Sequence, residues 1–120
     1  MDIDKLRITL REFATERDWD QFHSPKNLSM ALSVEAAELL EHFQWLTEEQ
    51  SRSLPPEVCA QVAREIADVQ IYLVRLADKL DIDIDTAVNA KMEINRLKYP
   101  AERVKGNAAK YTEYPSDPKA

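Results

Sequence analysis

Between Met1 and Asp18 the apolar positions Ile3, Leu6, Leu10 and Phe13 recur at steps of three or four with charges between them, which predicts an amphipathic helix. The stretch Trp19 to Pro25 (WDQFHSP) breaks that pattern and reads as an aromatic-rich loop, with Ser24 or Asn27 able to cap the next helix. From Leu28 to Leu46 (LSMALSVEAAELLEHFQWL) the chain is apolar almost all round, so a second helix should be covered on several sides. Thr47 to Pro56 is a connector whose TEEQ stretch can form a helical turn. Pro55 and Pro56 suit the first turn of a third helix, where a missing N–H costs little. That helix is predicted over Glu57 to Lys79, with Val62, Ile66, Val69, Leu73, Leu76 and Leu80 as its apolar seam. Asp81 to Asp85 forms a link in which Asp83 is the N-cap candidate. A fourth helix follows from Ile84 to Lys98, stopped before Pro100. No segment alternates with period two, so no strand is expected. The pattern predicts an all-α, four-helix bundle over residues 1–100, followed by an irregular tail over 101–120 that holds Gly106, Pro115 and Pro118.

Composition narrows the chemistry. A chain of 120 residues makes one domain, and 44% hydrophobic content supplies its core. Its single glycine excludes Gly-rich phosphate loops and dinucleotide fingerprints. A formal charge of −6 argues against a nucleic-acid polymer as partner, while leaving room for a small phosphorylated ligand accompanied by a divalent cation. The lone Cys59 forms no internal disulfide, and its setting in Val58-Cys59-Ala60 predicts a buried thiol in a reducing compartment. The charged start MDIDKLRITL and the lack of a long apolar run predict a cytoplasmic protein with no membrane partner.

Two acidic pairs carry the candidate chemistry. Glu35-Ala36-Ala37-Glu38 sets two carboxylates one turn apart on the second helix, and Glu65-Ile66-Ala67-Asp68 repeats that spacing on the third. If the two helices are neighbours, four carboxylates converge. Four anions in an apolar setting must share protons or gather a cation, and an all-oxygen set favours Mg²⁺ or Mn²⁺ over zinc. No Glu-x-x-His occurs, which removes the di-iron bundle motif. A solvated stripe is the competing account. Gln61, Arg64, Glu65, Asp68, Arg75 and Asp78 all share one side of the third helix.

Aromatic residues fall beside these faces. Tyr72 lies one turn beyond Asp68 and Trp45 two turns beyond Glu38, where they can stack a base or simply pack the core. The loop Trp19, Asp20, Gln21, Phe22, His23 needs something to pack against, whether the bundle, a ligand or another chain. On the fourth helix Lys91, Asn95 and Lys98 share a face that can bind phosphate oxygens or merely be solvated.

An ordered series of segments then points to a family: FATERDWDQFHSPKNL (Phe13 to Leu28), EAAELLEHFQW (Glu35 to Trp45), EIADVQIYLVRLA (Glu65 to Ala77), KMEINRLKYP (Lys91 to Pro100) and KYTE (Lys110 to Glu113). The sequence resembles the MazG-like all-α nucleoside triphosphate pyrophosphohydrolases, and most of all their dCTP pyrophosphatase branch. The resemblance implies a helical bundle assembled as a homodimer or a tetramer built from dimers. It implies Mg²⁺ on Glu35, Glu38, Glu65 and Asp68; one carboxylate must then activate water, and Glu35 is our choice. It also implies a base and sugar enclosed by Trp19 to His23 with Trp45 and Tyr72, and phosphates held by Lys91 and Asn95, while Lys98 stands where relatives often carry arginine. Leu10 stands where the animal branch carries a histidine. The implied reaction releases pyrophosphate from dCTP or a modified dCTP. Two other readings fit the residues, a non-catalytic helical interaction module and the same chemistry on dUTP or a damaged purine nucleotide.

Overall fold

A computed structural model of the chain describes residues 1–106. The KYTE segment, Pro115, Pro118 and most of the predicted irregular tail lie outside the described residues. Six helices and no strand occur among the described residues: α1 (Ile3–Glu16), α2 (Pro25–Glu41), α3 (Glu48–Ser51), α4 (Pro56–Lys79), α5 (Ile84–Lys98) and α6 (Ala101–Val104). The all-α expectation holds, and the third and fourth predicted helices are α4 and α5. The chain divides into two compact units, one over Met1–Asp83 and a second beginning at Ile84.

Within the first unit, α4 is the central rod, packed against α2 and α1. Each start is capped as its sequence dictates. The Asp2 carboxylate accepts from the Lys5 N–H, and the Ser24 hydroxyl accepts from the Asn27 N–H with Pro25 opening α2. Thr47 and Gln50 cap the predicted TEEQ turn reciprocally. With so little glycine, α1 and α4 end on aspartates. Asp18 (φ 54°) and Asp81 (φ 53°) adopt the left-handed conformation. They let the Trp19 N–H reach the Ala14 carbonyl (2.9 Å) and the Ile82 N–H reach the Ala77 carbonyl (2.8 Å). The first of these turns throws the aromatic loop back toward α4.

Four expectations are corrected. The second helix runs over Pro25–Glu41 rather than Leu28–Leu46, because Pro25 and Ser24 start it earlier and residues 42–46 leave it in turns. Its surroundings also differ. Leu28 is buried, but Met30, Val34 and Leu40 are each more than half exposed, and on α4 Ile66, Leu73 and Leu80 of the predicted seam are open while Val62 is buried. One chain has too few neighbours to cover both apolar stripes. Cys59 is exposed, because Val58 and Val62 take the inward positions around it. After Pro100 the chain makes one more helical turn, α6, at the start of the stretch expected to be irregular.

Candidate functional site

The packing of α2 on α4 decides the fate of the acidic pairs. Glu35, Glu38 and Glu65 each bring a carboxylate oxygen into one group whose members lie within 4.8 Å of one another, all half-buried. Glu35 Oε2 and Glu65 Oε2 are buried with no hydrogen-bond partner among the described residues. Burial first, then a hydrogen bond with Glu38 and the charges of Glu38, Asp68 and Glu65, push the Glu35 carboxyl up to about 7. Asp68 stands outside the trio but near enough for its charge to act on Glu35. His42, which no spacing rule singled out, brings Nε2 to 3.8 Å from Glu65 Oε1. It lies in the turn just after α2, where helical periodicity no longer predicts neighbours.

Orphaned anionic oxygens are costly unless something positive arrives. Three carboxylates converging with no cationic partner at hydrogen-bond distance among the described residues suit a hard divalent ion, and the donor set is all oxygen. The residues therefore fit a divalent cation.

The aromatic loop builds a second feature. Its Asp20–Phe22 segment is a single 3₁₀ turn, and His23 follows. Trp19 packs edge-on against Phe13 with ring centres 5.7 Å apart. A cavity of about 80 Å³ lies between α1, this loop and α4, lined by apolar residues of α1 together with Trp19, His23, Tyr72 and Arg75. Leu10 lines it too. Buried Arg75 clamps the loop from beneath. Its Nη2 donates to Asp20 Oδ1 (3.0 Å), its Nε donates to His23 Nδ1 (3.3 Å), and Lys79 Nζ donates to Asp20 Oδ1 (2.5 Å). Those two cations hold the Asp20 carboxyl below its usual range. Behind them Asp78 receives Arg11 through two bonds of 2.7 and 2.6 Å, with Arg75 at 3.5 Å, and its carboxyl is likewise lowered.

The structure thus brings together Glu35, Glu38 and Glu65, and separately Trp19, His23 and Tyr72. Not all the other candidates of the first unit join them. Gln21 folds back onto the Asp18 carboxylate (2.9 Å), Asp20 is spent on Arg75 and Lys79, Phe22 is exposed, and Trp45 is 87% exposed in the turn after α2. Lys91, Asn95 and Lys98 lie on α5 in the second unit, with Asn95 and Lys98 half-buried there. Sequence reading placed Arg75 and Asp78 on the charged stripe without assigning them a task.

Comparison with known proteins fits this arrangement. A MazG-like family model matches residues 30–114, which contain both acidic pairs. This chain belongs to the MazG-like family. Its relatives in that family include dCTP pyrophosphatase 1 of Mus musculus, 45% identical over 115 residues that make up 94% of this chain and 68% of the mouse protein. The Homo sapiens protein of the same name is 44% identical over the same shares. A solved pyrophosphatase from Archaeoglobus fulgidus superposes with a TM-score of 0.72 at 44% identity, covering 81% of this chain and 91% of its own. Among the described residues of this MazG-like chain, no helix is long and apolar enough to cross a membrane.

Proposed function

We propose that this chain converts dCTP, or a modified dCTP, to the monophosphate and pyrophosphate with the help of Mg²⁺. Nucleoside triphosphate pyrophosphohydrolase activity as a class is supported by the MazG-like family and by relatives named dCTP pyrophosphatase 1. The observation that carries the fuller reading is the carboxylate trio with two buried, unpartnered oxygens. Glu35, Glu38 and Glu65, with Asp68 beside them, would hold the cation, which supplies charge neutralisation at the phosphate oxygens. Mn²⁺ would substitute.

Glu35 is the group we assign to water. Without a cation, burial and the neighbouring carboxylates push its carboxyl up to about 7; a bound cation would favour the carboxylate, the form that can accept a proton from the attacking water. Trp19 and Tyr72 offer ring faces and edges to a base in the cavity, and stacking there is insensitive to base identity. Selectivity must come from hydrogen bonds, for which His23 is the polar ring in the cavity wall. Lys91, Asn95 and Lys98 present, on one helix, the donors that phosphate oxygens accept. Trp45 and the open apolar stripes of α2 and α4 fit burial against further copies of this chain, as a homodimer or a dimer of dimers.

A panel of the standard and several modified nucleoside triphosphates, assayed with and without Mg²⁺ and with the products identified, tests this. The expected result is metal-dependent pyrophosphate release that is fastest with a deoxycytidine nucleotide. Release of orthophosphate, or metal-independent turnover, would contradict it. Light scattering of the eluted protein reads the assembly, and a monomer at micromolar concentration would contradict the oligomer.

A further inference from the structure

His23 sits in the cavity wall, and the atom that faces it from α4 is not neutral in chemical consequence. A guanidinium carries donors and no acceptor, and it stays charged in any protein. Arg75 approaches His23 Nδ1 through both Nε (3.3 Å) and Nη2 (3.2 Å). Arg75 is itself 3% exposed, Asp20 holds the same Nη2 at 3.0 Å, and Asp78 lies 3.5 Å from Nη1. Such an arginine cannot rotate away to suit the imidazole, so the imidazole must suit it. Nδ1 can meet these donors only with its lone pair.

We propose that Arg75 is a positioning residue which fixes His23 as the Nε2–H tautomer, so that the cavity offers a hydrogen-bond donor and takes a base edge carrying an acceptor. Nε2 has no partner among the described residues, so that donor is open to a ligand. The N3 and O2 atoms of cytosine form such an acceptor edge. This rests on the nucleotide reading above and assigns its polar recognition to a specific ring atom. The electrostatic setting agrees. Burial, then the charges of Arg75 and Lys79 on α4, hold His23 below its ordinary value against the opposing pull of Asp20 in its own turn. From α1 the cavity receives only Leu10, Phe13 and Ala14. A neutral ring with one assigned proton is a fixed donor, whereas a free imidazole divides itself between two tautomers.

The test is ¹⁵N spectroscopy of labelled histidine in the free wild-type protein, with the His23 signals identified by their loss in His23→Gln. The expected result is an Nε2–H imidazole throughout neutral pH, titrating below about 6.5. Arg75→Met should give mixed tautomers and raise KM for dCTP about 5- to 10-fold, with kcat within about twofold, the size of one lost neutral hydrogen bond. Asp20 retains Lys79 and Asp78 retains Arg11 in that variant. Asp78→Asn, which loosens the same ionic group without touching His23, should leave the tautomer unchanged. An Nδ1–H or mixed imidazole in the wild type overturns the proposal, as does an Arg75→Met enzyme with unaltered KM. Should Arg75→Met not fold, the wild-type tautomer alone decides. A wild type that leaves dCTP intact would sink the nucleotide reading, while the tautomer measured without substrate would still be read separately.

Discussion

Helix α4 carries two charged pairs of the same spacing, Glu65 with Asp68 and Arg75 with Asp78, and they have opposite fates. Around Asp78 the charges balance. Arg7, Arg11 and Arg75 surround a carboxylate whose side chain is 5% exposed, and its pKa falls. Around Glu65 they do not. Three carboxylates meet, two oxygens go unpartnered and the pKa of Glu35 climbs. One end of the stripe is satisfied by the chain's own residues and acts as a fastening between α1, the aromatic loop and α4. The other is half-buried and left with two unpartnered oxygens among the described residues, and it is the end proposed above to take a cation. Equal spacing on one helix therefore predicts where charges stand, while the neighbouring helix determines what they do.

The largest effect that would break this contrast comes from Glu35→Gln. Turnover of dCTP should fall about 10²- to 10³-fold, the scale of a lost electrostatic or proton-transfer contribution. Thermal stability in the absence of metal should hold or rise, because one anion leaves a crowded group. Near-normal kcat would refute the functional half of the comparison. Asp78→Asn should do the converse, costing about 2–3 kcal/mol in urea denaturation by leaving buried Arg75 short of a counter-charge, with kcat within about twofold. A fully stable Asp78→Asn protein would show that the fastening does not fasten.

The two ends should also tilt stability with pH in opposite directions. Glu35 is raised from 4.5 to about 7, so the folded protein holds a proton that the unfolded chain has lost across that window. Its contribution is complete below about 4.5 and declines as pH rises toward 7 without metal. Asp20 and Asp78 are lowered, so their contribution is present above the ordinary aspartate range and disappears as acid titrates them. Melting curves across pH, repeated for Glu35→Gln, should show the neutral-side decline vanish and the acid-side loss persist. The smallest effect belongs to Arg64, exposed on the same stripe. Arg64→Ala should move stability by less than about 0.5 kcal/mol.

Much of this was legible in the sequence. Helical periodicity located α1, α4 and α5, Thr47 marked its own capping turn, and two i, i+3 acidic pairs on successive helices announced a cluster that three of the four carboxylates form. The solvated-stripe alternative fails at particular residues: Glu65 and Asp68 are half-buried, and Arg75 and the Asp78 side chain are nearly sealed. What was hidden depends on contacts between distant positions. Arg75 meets Asp20 and His23 across 55 and 52 residues, separations at which no local pattern speaks. His42 escaped notice because α2 ends before it. Cys59 looked buried because its neighbours are apolar, yet residues adjacent in a helix point in different directions.

Manganese titration followed by electron paramagnetic resonance tests the central claim most directly, since it reads ion capture without requiring turnover. The wild-type protein should remove Mn²⁺ from the free signal with one saturable class of site, and Glu35→Gln and Glu65→Gln should each weaken that capture at least about tenfold. A free-ion signal identical for wild type and both variants, with nucleotide present or absent, would contradict it.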